Sequence, residues 1–266
     1  MTTSLYKYII GSVAKFYNSL PCCEVIMLPN RTTVVACATV LEEIAPILPE
    51  GTSCLELDFG LHLKPANLKQ ALQEAIDEAG KTADTVLLGY GLCSLAVVGL
   101  KANNCTLVVP KVDDCIAIFM GSRQAYSTQA GAEPGTYYLT KGWIEVSDTI
   151  WDEYQKLIER YGETTAQRMM RLMLKNYTRL AYIDTGQRDQ ERYRDYARMV
   201  ADAFQLRYEE VQGSSRLIEK LLQGPWDDEF VVAEPGQTIA YADFKTTNRI
   251  AGNTFGVAPA PHPSQT

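Results

Sequence analysis

Short β-branched runs alternating with helix-patterned segments predict an α/β protein with a parallel-sheet, Rossmann-like architecture. Two observations carry this. Four such runs stand in the first half, Thr33 to Cys37, Ser53 to Asp58, Thr85 to Gly89 and Thr106 to Pro110, with an amphipathic segment between the second and the third. A further alternation of the same kind occupies the later half.

In chain order, TVVAC, SCLELD, TVLLG and TLVVP are rich in residues that favour extended backbone. Pro65 to Ala79 reads as a helix: proline stands at its start, apolar residues recur three and four apart, and Gly80 stops it. From Gly131 to Val146 the chain is rich in Gly, Tyr and Trp and reads as loop and short strand. Trp151 to Tyr161 and Thr164 to Tyr177 follow as two amphipathic helices hinged at Gly162. Then come strand Leu180 to Asp184, helix Gln187 to Phe204, strand Leu206 to Val211, helix Ser214 to Leu222 and strand Phe230 to Ala233. The expected division is an N-terminal α/β half over 1–146, a C-terminal α/β half over 147–257 and a disordered Pro-rich tail over 258–266. Two α/β lobes with a cleft between them are expected, although one continuous sheet would give the same pattern.

At 266 residues, 46% hydrophobic and 21% charged, the chain has the composition of a folded globular protein. Its formal net charge of -7 argues against a nucleic-acid partner, which needs a basic stripe. No uninterrupted apolar h-region opens it, and no run approaches about 18 apolar residues, so no membrane partner and a cytoplasmic location are expected. There the seven cysteines read as buried thiols or metal ligands before they read as disulfides.

In an open parallel sheet, ligands bind beyond the carboxyl ends of the strands. Cys37 ends the first run, His62 follows the second, Cys93 follows the third and Cys115 follows the fourth. All four are expected at one sheet edge. The spacings of 31 and 22 residues between His62, Cys93 and Cys115 match no zinc finger or ribbon, so the fold must assemble the set. Zinc, or another thiophilic divalent metal, is the expected cofactor. Three ligands would leave an open coordination position, and Cys37 as a fourth would close it. Asp113, Asp114, Tyr90 and Arg123 are candidates for orienting the ligands or touching a substrate.

Each residue also has a plain structural reading. Cys54 and Cys105 read as core thiols. Adjacent Cys22 and Cys23, and His262 in the tail, are given no role. Cys93 is expected at a helix N-terminus after Gly91, with a lowered pKa. Asp113 and Asp114 read equally well as helix caps. Gly121-Ser122-Arg123 offers a weak anion-binding motif, and Gly135 to Tyr138 with Gly142-Trp143 offers either aromatic binding surface or core.

The phrases LLGYGLC, VVPKVDDCIAIFMGSRQAY and GTYYLTKGWIE, lying from Leu87 to Glu145, resemble an uncharacterised bacterial and archaeal family catalogued as domain of unknown function sixteen thirty-eight. Weaker likeness runs from about Val34 to Pro235 and includes LQGPWDDEFVVAEPG at Leu222 to Gly236. The resemblance implies a role near the corrinoid-dependent methyltransferases of anaerobic one-carbon metabolism, beside which members are often encoded. It carries over Cys37, His62, Cys93 and Cys115 as the family's Cys and His positions. Pro110-Lys111 stands where members usually have Pro-Arg, which would leave an anion a point charge instead of a bidentate clamp.

Two functions stay open. One is a metal-dependent transferase, or an accessory to one, that activates a thiol or small methylated substrate at a His/Cys/Cys site. The other is a non-catalytic protein that binds a metal or small molecule and serves a corrinoid protein. Thiol redox chemistry at Cys93 and Cys115 ranks below both, because no C-x-x-C motif is present.

Overall fold

The computed structural model describes Lys7–Tyr8, residues 31–49 and residues 51–245. The described strands form two sheets. The larger holds β1 (Lys7–Tyr8), β2 (Thr32–Cys37), β3 (Ser53–Leu57), β4 (Thr85–Gly89), β5 (Thr106–Pro110) and β9 (Phe230–Ala233), in the order β1-β3-β2-β4-β5-β9. Strands β3, β2, β4 and β5 pair in parallel, and antiparallel β1 and β9 flank them. Every residue of β4 is buried, as are all but the first of β2 and of β5. Such continuous burial means that both faces of these strands are covered, which is why they read as unbroken apolar runs.

The chain steps from β2 to β3 on one side and then crosses to β4 on the other. The strand order therefore reverses between β2 and β4, the place where α/β sheets open a crevice. Helix α1 (Ala38–Ile44) leaves β2 directly, and α2 (Pro65–Ala79) joins β3 to β4 and buries Leu68, Leu72 and Ile76. Further on, α3 (Cys115–Phe119) and α4 (Arg123–Ala132) follow β5.

The smaller sheet holds β6 (Thr136–Leu139), β7 (Arg179–Asp184) and β8 (Arg207–Gln212), all parallel, in the order β6-β7-β8. Between β6 and β7 lie α5 (Lys141–Val146), α6 (Ile150–Tyr161) and α7 (Glu163–Met173); α8 (Gln190–Phe204) and α9 (Arg216–Gln223) follow. Strand β7 sends Ala181 and Ile183 into the core of the larger sheet and Leu180 and Tyr182 into a second core. Alternation along one strand thus ties the two cores together.

The α/β, largely parallel architecture is as expected, and β4, β5, α2 and β9 have the expected bounds. Sheet membership does not follow chain order, however. Strand β6 enters the second sheet although it precedes residue 146, and β9 returns from the later half to pair with β5. The segment 131–146, expected as loop and short strand, also carries α5, whose first turn Thr140 caps by accepting from the Trp143 amide. Cys22, Cys23, His262 and the expected tail lie outside the described residues. Among the described residues no helix is long and apolar enough to cross a membrane.

Candidate functional site

Cys37 ends β2 and is 1% exposed. Ala36 pairs with Gly89 in register, so Cys37 lies level with Tyr90 just beyond the end of β4. From there the chain runs flush against the exit of β5: the Leu92 amide donates to the Val112 carbonyl at 2.9 Å and the Cys93 amide to the Asp113 carbonyl at 3.1 Å. Glycine is required at position 91, because a Cβ there would stand 2.8 Å from the Val112 oxygen. This zipper pairs Cys93 with Asp113, two residues before Cys115, the first residue of α3.

Cys37, Cys93 and Cys115 are buried in the same core as Tyr90. Ionising any of them would disfavour ionisation of the tyrosine, and Cys37, Cys93 and Cys115 act on one another in the same way. All are buried, and burial is the largest cause that pushes each thiol above its ordinary pKa, Cys115 far above it. The expected lowered pKa of Cys93 is therefore overturned. Cys93 caps no helix; it begins a turn in which Cys93, Ser94 and Leu95 have φ of 42°, 56° and 69°. Its burial decides the direction. Cys37 is held further, with Sγ 3.0 Å from the Thr39 hydroxyl. Thr39, wholly buried, was not singled out from the sequence, where it is one more β-branched residue after a strand.

His62 stands in a one-turn 3-10 helix, Phe59–Leu63, after β3. Its Nδ1 lies 2.9 Å from the Phe59 carbonyl, which makes Nδ1 the donor and gives Nε2 the lone pair. The ring stacks between Phe59 and Tyr90, with centroids 5.2 Å and 5.9 Å away. His62 thus packs against Tyr90 at the same edge of the sheet. The Tyr90 hydroxyl is buried and finds no hydrogen-bond partner among the described residues. An unsatisfied buried hydroxyl costs about 1–3 kcal/mol, so this one stands ready for a partner.

The charged candidates are engaged in structure. Asp114 caps α3 by accepting from the Ile116 amide at 2.9 Å, and burial raises its pKa. Asp113 grips Arg123 with both oxygens, at 2.9 Å and 3.3 Å, and the same guanidinium donates to the Phe244 carbonyl at 3.0 Å. Arg123 therefore ties the β5 exit to the 3-10 turn Tyr241–Phe244. Ser122 caps α4, so Gly121-Ser122-Arg123 is a helix start. Tyr138 joins the core of the larger sheet and Trp143 packs edge-on against Phe119 at 5.5 Å. Cys105 is 1% exposed in the same core, and Cys54 is half-buried against it with its pKa pushed up to about 11.

Among the described residues, no three His, Cys, Asp or Glu side chains are grouped as a metal-holding set. The donor chemistry fits a soft cation, since three thiols and the His62 imidazole lie at the carboxyl edge of one sheet. Holding an ion would require the thiols to turn inward and release protons. An open groove of about 640 Å³ runs along β9 beside Lys111, Trp226 and Phe230, and it borders none of the thiols.

A family model described as a protein of unknown function, DUF1638, matches residues 56–222. The match contains His62, Cys93 and Cys115 and leaves Cys37 outside. No curated protein and no solved structure matches the chain.

Proposed function

The chain belongs to this family of unknown function, and we propose that it binds a thiophilic metal ion, zinc in the first instance, at the thiols of Cys37, Cys93 and Cys115. The observation that carries this is the placement of three buried thiols at the carboxyl edge of the larger sheet: Cys37 ends β2 next to β4, and Cys93 is hydrogen-bonded to the exit of β5 that leads to Cys115. His62 supplies a further donor from the side of the tyrosine ring. Three thiolates around a divalent ion would leave one net negative charge in a buried site, so the centre favours keeping one thiol protonated.

Near-complete burial supports a closed centre over an open catalytic position. The reading that fits it best is the non-catalytic one, a metal-binding accessory protein; the link to a corrinoid methyl-transfer system rests on the family resemblance. In the transferase reading the bound ion would hold a thiol or small methylated substrate, and an exchangeable coordination position would have to open first.

Metal titration of anaerobically prepared protein, read by elemental analysis and by the cadmium–thiolate absorption band, tests the proposal. About one equivalent is expected. Cys37→Ser, Cys93→Ser and Cys115→Ser should each release most of it, while Cys54→Ser retains it. Protein that takes up no metal, or that loses it equally on Cys54→Ser, overturns the proposal. Retention by Cys37→Ser alone would restore the open site and with it the enzyme reading.

A further inference from the structure

A strand at the edge of a sheet carries backbone groups that no neighbouring strand takes up, and β9 is such a strand. The Lys111 amide donates to the Glu229 carbonyl at 2.8 Å, which fixes the phase of the antiparallel ladder between β5 and β9. Bonded pairs alternate along such a ladder, so Val109 bonds with Val231 and Leu107 with Ala233. Val232, opposite Val108, therefore turns its N–H and C=O away from β5. On either side the chain closes the edge itself: the Phe230 amide donates to the Asp227 carbonyl at 3.1 Å, and the Glu234 amide to Gln237 Oε1 at 2.9 Å. Among the described residues no backbone group takes up those of Val232. The groove of about 640 Å³ runs beside this open stretch, and Gln237, Thr238 and Asp243 line it as well. That returning segment bonds to Leu100, Lys101 and Ala102 and does not pair with β9. Of the charged groups in the groove, Asp227 is paired with Lys220 at 2.6 Å and Asp243 accepts from the Ala240 amide at 2.7 Å. The Lys111 ammonium has no ion pair or hydrogen bond among the described residues.

We propose that this edge captures an extended peptide from a partner protein, which lies in the groove as an added strand, exchanges both bonds with Val232 and sets an acidic side chain against Lys111. Open backbone of this kind specifies an extended chain, because another strand offers donors and acceptors at the matching spacing. Main-chain bonds then carry the affinity and side chains the specificity. Lys111 selects for acid, since it is the uncompensated charge among the three in the groove. The groove borders none of the thiols, so this proposal and metal binding stand or fall separately.

The test is fluorescence anisotropy of the full-length protein with a short fluorescein-labelled peptide of alternating valine and glutamate. Saturable binding is expected. The same peptide N-methylated on alternate residues, made in both registers, keeps its side chains and charge. One register should bind about tenfold more weakly, because its methyl groups meet β9, while the other binds like the parent. Val232→Pro removes the outward N–H and leaves the β5 ladder intact, so it should also weaken binding about tenfold. Lys111→Ala should weaken it about threefold, an effect that fades in high salt. The proposal is overturned if the parent peptide does not bind at millimolar concentration, if both methylated forms bind like the parent, or if folded Val232→Pro binds unchanged. Binding that ignores Lys111→Ala overturns its acidic preference. A dimer seen by light scattering and dissociated by Val232→Pro also overturns it, because the edge then belongs to a second copy.

Discussion

Two tyrosines, each at the carboxyl end of a parallel strand, meet opposite fates. Tyr90, beyond β4, is 1% exposed, and its hydroxyl has no hydrogen-bond partner among the described residues. Tyr182, in β7, is wholly buried, and its hydroxyl donates to Gln190 Oε1. The surroundings repeat the contrast. Asp184, two residues on, pairs with Arg194, which also reaches Glu210 at 3.1 Å. Glu43, from α1, accepts from Thr185 at 2.7 Å and Gln187 at 2.8 Å in the loop after β7. At the smaller sheet most of these polar groups have partners, although Glu43 Oε1 and Gln190 Nε2 are buried without one among the described residues. At the larger one, soft donors gather with few directional partners, the condition of a site that binds something else.

The largest expected effect falls on the β7 edge. Asp184→Ala removes the partly buried partner of Arg194 and the acceptor that holds the Gly186 amide at 2.9 Å. Denaturant unfolding should show a loss of about 1–3 kcal/mol. A loss no greater than that of an exposed substitution would mean that the network is ornamental, and the contrast between the two edges would fall.

Next in size is a pH effect at Glu43, which joins α1 to the loop after β7. Burial is the largest cause raising its pKa; Thr185, Gln187 and Lys141 pull the other way, and Glu42 adds to the rise. The folded-state value therefore exceeds the unfolded one. The resulting stability is complete below the unfolded pKa and disappears as pH rises through the folded value. Melting temperature should accordingly decline from acidic toward neutral pH, and Glu43→Gln should flatten that decline. Asp114 is raised in the same direction, so the slope should shrink without vanishing. An unchanged slope would show that Glu43 does not titrate in this window.

These contrasts also mark where the sequence was legible. Strands β4 and β5 and helix α2 were readable to the residue, because apolar runs and an amphipathic stretch punctuated by Pro65 and Gly80 report local physics. The placement of Cys37, Cys93 and Cys115 at or after the ends of β2, β4 and β5 was readable from the rule for parallel strands. That Cys37 lies level with Tyr90 was not, because it depends on β2 lying next to β4. That is a non-local pairing with no signature in either strand. The return of β9 to β5 is of the same kind. Cys93 was misjudged because glycine two residues earlier resembles a helix start, whereas the backbone after it turns left-handed. Arg123 resembled an anion clamp because its partners, Asp113 and the Phe244 carbonyl, are 10 and 121 residues away.

The smallest expected change sharpens the comparison most. Tyr182→Phe removes a made hydrogen bond and strands Gln190 Oε1, so it should cost about 1–2 kcal/mol. Tyr90→Phe removes a hydroxyl that bonds to nothing described, and it keeps the ring on which His62 stacks. Its stability should be unchanged, or higher by up to about 1 kcal/mol, because a desolvation penalty goes with the hydroxyl. If that hydroxyl serves a bound ion, the same substitution should weaken metal binding by about tenfold, the usual scale for a group that supports metal ligands. Stability and binding would then respond in opposite senses to one oxygen atom. Should Tyr90→Phe instead cost as much stability as Tyr182→Phe, the Tyr90 hydroxyl has a structural partner, and the two edges are built alike.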